Sequence, residues 1–198
     1  MANFSAAFGY DTYIVPMASA SVDVSFDGVT AGDAASGGFI DTTTVVDQSA
    51  TVAYASGVFT VAASPFAMDG TDTPVRLYGL TNASLETDTN SEDVITYDDE
   101  SKGFNTSIAT SKSWSVSIAG VADFKDAGYQ ILRLTEQNTV ADSLRVKFVR
   151  VGPTGTTETV YGYGTLSGYT ESIEAGSIVS WESTVTGYGP YVLDIDAN

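Results

Sequence analysis

The chain is predicted to be mainly β, and three observations predict it. Thr, Ser, Ala, Gly, Val and Tyr dominate while charged residues make up only 17% of the 198 positions, a balance that suits many short strands and turns. Two segments alternate large apolar residues with small hydroxylated ones. In the first, Trp114, Val116 and Ile118 alternate with Ser113, Ser115 and Ser117; in the second, Val179, Trp181 and Val185 alternate with Ser180, Glu182, Thr184 and Thr186. A period of two marks a strand with one packed face and one face toward water or a wet cavity. Third, only one segment, around residues 124–137, has convincing helical spacing. The length suits one sizeable core, so a single domain is expected over 1–198.

Residues 1–16, apolar and aromatic up to Pro16, read as an amino-terminal arm or first strand. Residues 17–72 form a zone rich in Ala, Ser, Thr, Asp and Gly. Within it Val22, Val24 and Phe26 alternate with polar neighbours, residues 30–38 are loop-like, and Thr51–Ala55 faces Val58–Ala62 across Ser56-Gly57 as a tight hairpin. From Thr73 the texture changes to VRLYGLTNASLE, a strand, followed by the polar stretch SEDVITYDDESKG over Ser91–Gly103. Five acids there, Glu92, Asp93, Asp98, Asp99 and Glu100, are too charged to bury without partners, so a loop projecting from the body is expected.

After the Trp114 strand comes the helix. Phe124, Ala127, Gly128, Ile131 and Leu134 fall on one face, with Lys125, Gln130, Arg133 and Gln137 on the other, and Asp123 or Asp126 is placed to cap its start. Strands return with Leu144, Val146 and Phe148 alternating with Arg145 and Lys147. Gly152-Pro153-Thr154-Gly155 supplies a turn, Val160–Tyr169 a Tyr/Gly-rich strand, Glu174-Ala175-Gly176 a further turn, and residues 177–187 the Trp181 strand. The tail after Gly187 is expected to be an arm.

Composition excludes several classes of chemistry. Cysteine and histidine are both absent, which removes thiolate and imidazole metal ligands, disulfides, the cysteine nucleophile and the commonest general base. No enzyme activity and no cofactor are expected. The net charge is −17 and uneven: residues 1–75 hold eight acids and no Lys or Arg, while 76–198 hold 17 acids and all eight cations. Such a surface repels nucleic acid and anionic membranes. No apolar run approaches the ~20 residues of a membrane span, and the start of the chain lacks a basic region followed by an apolar core, so a soluble chain without a secretion signal is expected.

Carboxylates are plentiful, but no companion motif singles out an acid and base pair. Asp88-Thr89-Asn90-Ser91-Glu92-Asp93 resembles part of an oxygen-rich calcium loop yet lacks the glycine and the spaced terminal glutamate of an EF-hand. No metal site is assigned. Arg145, Lys147 and Arg150 place three of the eight cations within six residues, either as a solvated strand face or as a docking strip for an acidic loop of a neighbouring copy.

Taken in order, LYGLTNASLETDTNSEDVITYDD, the loop ending SKG, KSWSVSIAGV, ADFKDAGYQILRL, SLRVKFV and GTLSGYTESIEAGSIVSWESTVTGYG resemble the major tail protein, or tail tube protein, of long non-contractile-tailed bacteriophages. The resemblance covers roughly residues 74–190. It implies a β-sandwich-like subunit with one flanking helix, in hexameric rings that stack into a hollow tube, each subunit lending about four strands to a continuous inner β-barrel. Residues 17–72 exceed what the family needs and would be an insertion, 73–190 the family core and 191–198 a C-terminal arm.

On that resemblance Ser113, Ser115, Ser117, Ser180, Glu182, Thr184 and Thr186 would line the channel. Trp114, Val116, Ile118, Val179 and Trp181 would pack outward against a helix face of Phe124, Ile131 and Leu134. The loop bearing Glu92, Asp93, Asp98, Asp99 and Glu100 would reach the next ring and dock on Arg145, Lys147 and Arg150. Partners would be further copies of the chain and other tail proteins, such as terminator, tape measure and distal tail protein. DNA would pass without specific binding, in a virion tail assembled in the host cytoplasm. The inner tube of a contractile tail shares the fold and stays open as an alternative; so does a surface-exposed β-rich binding module using the loops at 30–38 or 88–103.

Overall fold

A computed structural model describes residues 10–16, 52–55, 58–61, 64–67, 74–94, 106–138, 145–153 and 158–194. Seven strands form one antiparallel sheet: β1 (Asp11–Pro16), β5 (Val75–Arg76), β6 (Leu80–Val94), β7 (Thr106–Val121), β8 (Arg145–Val151), β9 (Thr159–Ser172) and β10 (Ser180–Asp194). Their order is β5-β1-β8-β9-β10-β7-β6. β2 (Val52–Ala55), β3 (Val58–Val61) and β4 (Ser64–Ala67) make a separate three-stranded antiparallel sheet. The hairpin expected across Ser56-Gly57 is β2 and β3, with Ala55 opposite Val58. The expectations for residues 22–26 and 30–38 fall outside the described residues.

The seven-stranded sheet folds over so that its halves face each other. Ile14, Val146 and Phe148 from one half share a core with Trp114, Val116, Ile118, Trp181 and Val185 from the other. The long strands β9 and β10 serve both halves and bend at irregularities between Glu182 and Thr184 and between Gly187 and Tyr191. β10 carries on to Asp194 and pairs its last residues with Thr159–Gly162. The tail beyond Gly187 is therefore largely strand, because β9 offers it a ladder that local sequence does not reveal.

Trp114 explains the glycines of the Tyr/Gly-rich stretch. A Cβ on Gly187 would lie 2.3 Å from the indole and one on Gly162 2.9 Å from it, so only glycine leaves room for the ring across β9 and β10. Its Nε1 donates to the Gly189 carbonyl at 2.9 Å. Trp181 lies as closely over Gly120.

The one helix among the described residues, α1 (Ala127–Asn138), covers the core beside Trp181. Asp126 is its cap: the carboxylate accepts the Gly128 N–H at 3.3 Å and the Tyr129 N–H at 3.0 Å. Burial pushes the Asp126 carboxyl up from its ordinary range, against the lowering effect of those N–H bonds. Ala127, Gly128 and Ile131 are buried as the spacing predicts and Leu134 is half-buried against the core, while Leu132, which the spacing left off that face, is buried as well. Phe124 is not on the packed face. It lies in the turn before the helix, 55% exposed, edge-on to the Tyr129 ring with the Arg133 guanidinium over it.

Candidate functional site: a polar sheet face and a projecting ribbon

Strands β9, β10, β7 and β6 are consecutive neighbours, and their pairing fixes which outward residues stand together. Ser117 lies between Ser84 and Thr184, with Ser167 beyond Thr184. Ser115 lies between Glu86 and Thr186, with Thr165 beyond. Ala119 stands between Asn82 and Glu182, followed by Thr170; Ser113 faces Asp88, and Ser180 stands between Val121 and Ser172. None of these positions is buried, while Trp114, Val116, Ile118, Trp181 and Val185 between them are. The strand period has sorted hydroxyls, amides and carboxylates onto one surface.

All seven residues expected to line a channel, Ser113, Ser115, Ser117, Ser180, Glu182, Thr184 and Thr186, therefore stand on one face. The surface is wider than sequence reasoning drew it. Asn82, Ser84, Glu86 and Asp88 extend it on β6, and Thr165, Ser167, Thr170 and Ser172 on β9. The signal on β6 was the alternation of Asn82, Ser84, Glu86 and Asp88 with Ala83, Leu85 and Thr87. No Lys or Arg occupies any of these positions.

The body ends before β6 and β7 do. β10 pairs with β7 only as far as Ser115, while β6 and β7 go on pairing with each other to Val94 and Thr106. Beyond the body they form a two-stranded ribbon, ~20 Å long at ~3.4 Å per residue. Residues 88–93 and 107–113 are exposed throughout. Asn90 Nδ2 donates to Ser111 Oγ at 3.1 Å and Thr110 Oγ1 to the Asn90 carbonyl at 3.2 Å. The projection expected as a loop from Ser91 is thus strand to Val94, because a polar run with loop-like composition has an antiparallel partner. Glu92 and Asp93 are exposed on the ribbon; Asp98, Asp99 and Glu100 fall outside the described residues. Among the described residues no cluster of acids is arranged to hold a metal ion.

The three cations of β8 divide between two faces. Arg145 and Lys147 alternate with Val146 and Phe148, whereas Arg150 shares the core side with those two. Arg150 Nη1 donates to the Ala83 carbonyl of β6 at 2.7 Å, and Nη2 to Glu158 Oε1 at 2.8 Å. The Tyr10 ring covers the guanidinium, and its hydroxyl donates to Glu158 Oε2 at 3.0 Å. Arg150 is a brace between the two halves of the sheet. Arg145 stands opposite Thr165 at the start of β8, its guanidinium 4.4 Å from the centre of the Tyr188 ring.

Residues 66–192, more than half of the chain, match the phage tail tube protein family. The chain belongs to that family. As a tail tube protein it is a structural component of the phage tail. Its fold is similar to three solved assemblies at low identity. One is the tail of an empty gene transfer agent particle with C6 symmetry, with a TM-score of 0.46 and 17% identity over 60% of this chain and 83% of that one. The virion of the native gene transfer agent particle has a TM-score of 0.46 and 17% identity over 60% and 85%. The SPP1 tail tube has a TM-score of 0.48 and 14% identity over 65% and 72%. No curated protein matches this tail tube protein.

Proposed function

We propose that copies of this tail tube protein close side by side into hexameric rings, and that the rings stack into a hollow tube through which phage DNA passes. The observation that carries the reading is the four-stranded polar face without a cation. DNA phosphates bind proteins through Lys and Arg with release of counterions. A lumen of hydroxyls and carboxylates supplies none of that attraction, so the duplex slides past without being held. The number six is what the family resemblance implies.

Edge geometry supports closure. β9, β10, β7 and β6 alternate in direction. A second copy that lays its β6 beside β9 therefore continues the antiparallel alternation without a break. Among the described residues both outer edges lack a partner: β6 along its length, and β9 from Leu166 to Ser172, since β8 pairs β9 only up to Thr165. Long edges of this kind are templates for another chain, and closing a barrel removes them. The ribbon adds an axial contact in this reading. A two-stranded hairpin is marginal alone in water, and one reaching the next ring gains its support there, with Glu92, Asp93, Asp98, Asp99 and Glu100 giving the contact its charge.

Electron microscopy of the concentrated, purified protein tests the proposal. Rings or hollow rods are expected. Monomers alone, across salt and temperature, would overturn it.

A further inference from the structure

We infer that the seam between two neighbouring copies is pinned by Arg145 of one copy and the carboxylates Glu86 and Asp88 of the next. The inference rests on the ring reading above and adds the charge pair that selects which edges meet.

The row of residues across the polar face carries the argument. Glu86, Ser115, Thr186 and Thr165 stand side by side on β6, β7, β10 and β9, and Arg145 on β8 is the next member. The row is acidic at one end and cationic at the other. The two ends are ~19 Å apart at ~4.8 Å per strand, so they do not meet within one copy along the sheet. A neighbour beside β9 brings them together.

Strand direction makes the same point. β6 and β8 both run opposite to β9. A neighbour's β6 lying along Leu166–Ser172, an edge without a strand partner among the described residues, therefore heads toward the start of β8 and meets Arg145 there. The lengths agree: the body half of β6, Leu80–Thr87, matches that edge, and from Asp88 onward β6 leaves the body as ribbon. Glu86 and Asp88, both on the polar side, arrive at the junction.

Arg145 is equipped for the contact. The ion pairs among the described residues join Arg76 to Asp11, Arg133 to Glu171 and Arg150 to Glu158, and Arg145 takes part in none of them. Its guanidinium lies on the Tyr188 ring, which holds the plane while its N–H edge stays available to a carboxylate. Glu86 and Asp88 are exposed. Pairing also neutralises a cation that borders the polar face, which weakens the attraction of the channel wall for DNA.

The arrangement works against the wrong contact as well. Two β6 edges brought together would oppose carboxylate to carboxylate, and like charges across an interface are strongly disfavoured. The permitted contact joins unlike edges, and a head-to-tail contact of that kind generates a ring when its rotation closes.

Complementary variants test the pair. Arg145→Glu makes both sides of the seam acidic, and Glu86→Arg with Asp88→Arg makes both sides cationic. Each variant alone is expected to need about tenfold more protein to form rings, with unchanged circular dichroism and unchanged thermal unfolding. Mixed in equal amounts they present complementary charges at every seam of an alternating ring, and assembly is expected to return toward that of the wild type. Variants that assemble alone like the wild type would overturn the pair, and so would a mixture that stays monomeric. If Glu92→Arg with Asp93→Arg rescues Arg145→Glu in place of the Glu86 and Asp88 variant, Arg145 belongs to the stacking contact and the seam assignment fails. A wild type that never forms rings overturns the ring reading itself, a result distinct from all of these.

Discussion

The two halves of β7 belong to one continuous strand and have opposite surroundings. From Trp114 to Val121 the strand lies between β6 and β10, and Trp114, Val116 and Ile118 are at most 5% exposed. From Thr106 to Ser113 it has only β6, and Ile108 is 51% exposed. Hydrogen-bonded pairing is common to both halves; burial is not. Burial of an aromatic or branched side chain contributes roughly 1.5–3 kcal/mol, so the body half carries its own stability. The ribbon half is held by its ladder and a few exposed side-chain bonds. One strand thus combines a rigid wall with an extension whose order depends on a partner.

Trp114→Ala attacks the body half at the bulkiest of its buried side chains. It removes the indole from a cradle shaped by Gly162 and Gly187 and deletes the bond to the Gly189 carbonyl. A loss of about 3–5 kcal/mol is expected, as for large aromatic truncations in cores, read as a drop in the urea midpoint. A loss below about 1 kcal/mol would mean that the body half is no better supported than the ribbon.

How much of this was legible follows from what each signal depends on. The Trp-bearing strands, the capped helix and the hairpin at 52–61 rest on local periodicity and turn chemistry, and sequence carries those. The β6 half of the polar face alternates too, but its inward residues are Ala83, Leu85 and Thr87, too small a contrast to stand out. Composition marks the ribbon as loop, because strand formation by Thr89, Asn90 and Ser91 depends on pairing, which composition does not encode. Proximity in the chain groups Arg150 with Arg145 and Lys147, although its odd offset from Lys147 places it on the other face. What remained hidden was the fold-over of the sheet, which brings the guanidinium to the Ala83 carbonyl.

Asp126 tests the support of the body half by α1. Asp126→Ala removes the acceptor for the Gly128 and Tyr129 N–H groups and is expected to cost about 1 kcal/mol. Asp126→Asn keeps a capping oxygen and removes the buried charge. Because burial raises the folded carboxyl above its ordinary range, the unfolded chain ionises first as pH rises. The wild type binds the proton more tightly when folded, so its stability relative to Asp126→Asn falls as pH climbs through that window and then levels off. Urea midpoints of both proteins between pH 3 and pH 7 read the difference; a relative stability that rises with pH would show the N–H bonds outweighing burial.

Ile108→Ser is the smallest perturbation to the subunit and the sharpest test of the contrast. Ile108 lies opposite Glu92 on the ribbon, away from the core. An exposed side chain outside any packed cluster changes stability by less than about 0.5 kcal/mol when replaced, so the urea midpoint of the isolated subunit should not move. Hydrogen exchange should show ribbon amides at 88–93 and 107–112 exchanging orders of magnitude faster than those of Val116 and Ile118, since ribbon opening exposes almost no apolar surface. In assembled tubes the same amides should become protected, and the Ile108→Ser protein should need a higher concentration to reach that state. A lowered midpoint in the isolated subunit would place Ile108 against the body. Slow exchange of the ribbon before assembly would mean that its own ladder suffices, and the distinction between the two halves of β7 would fall.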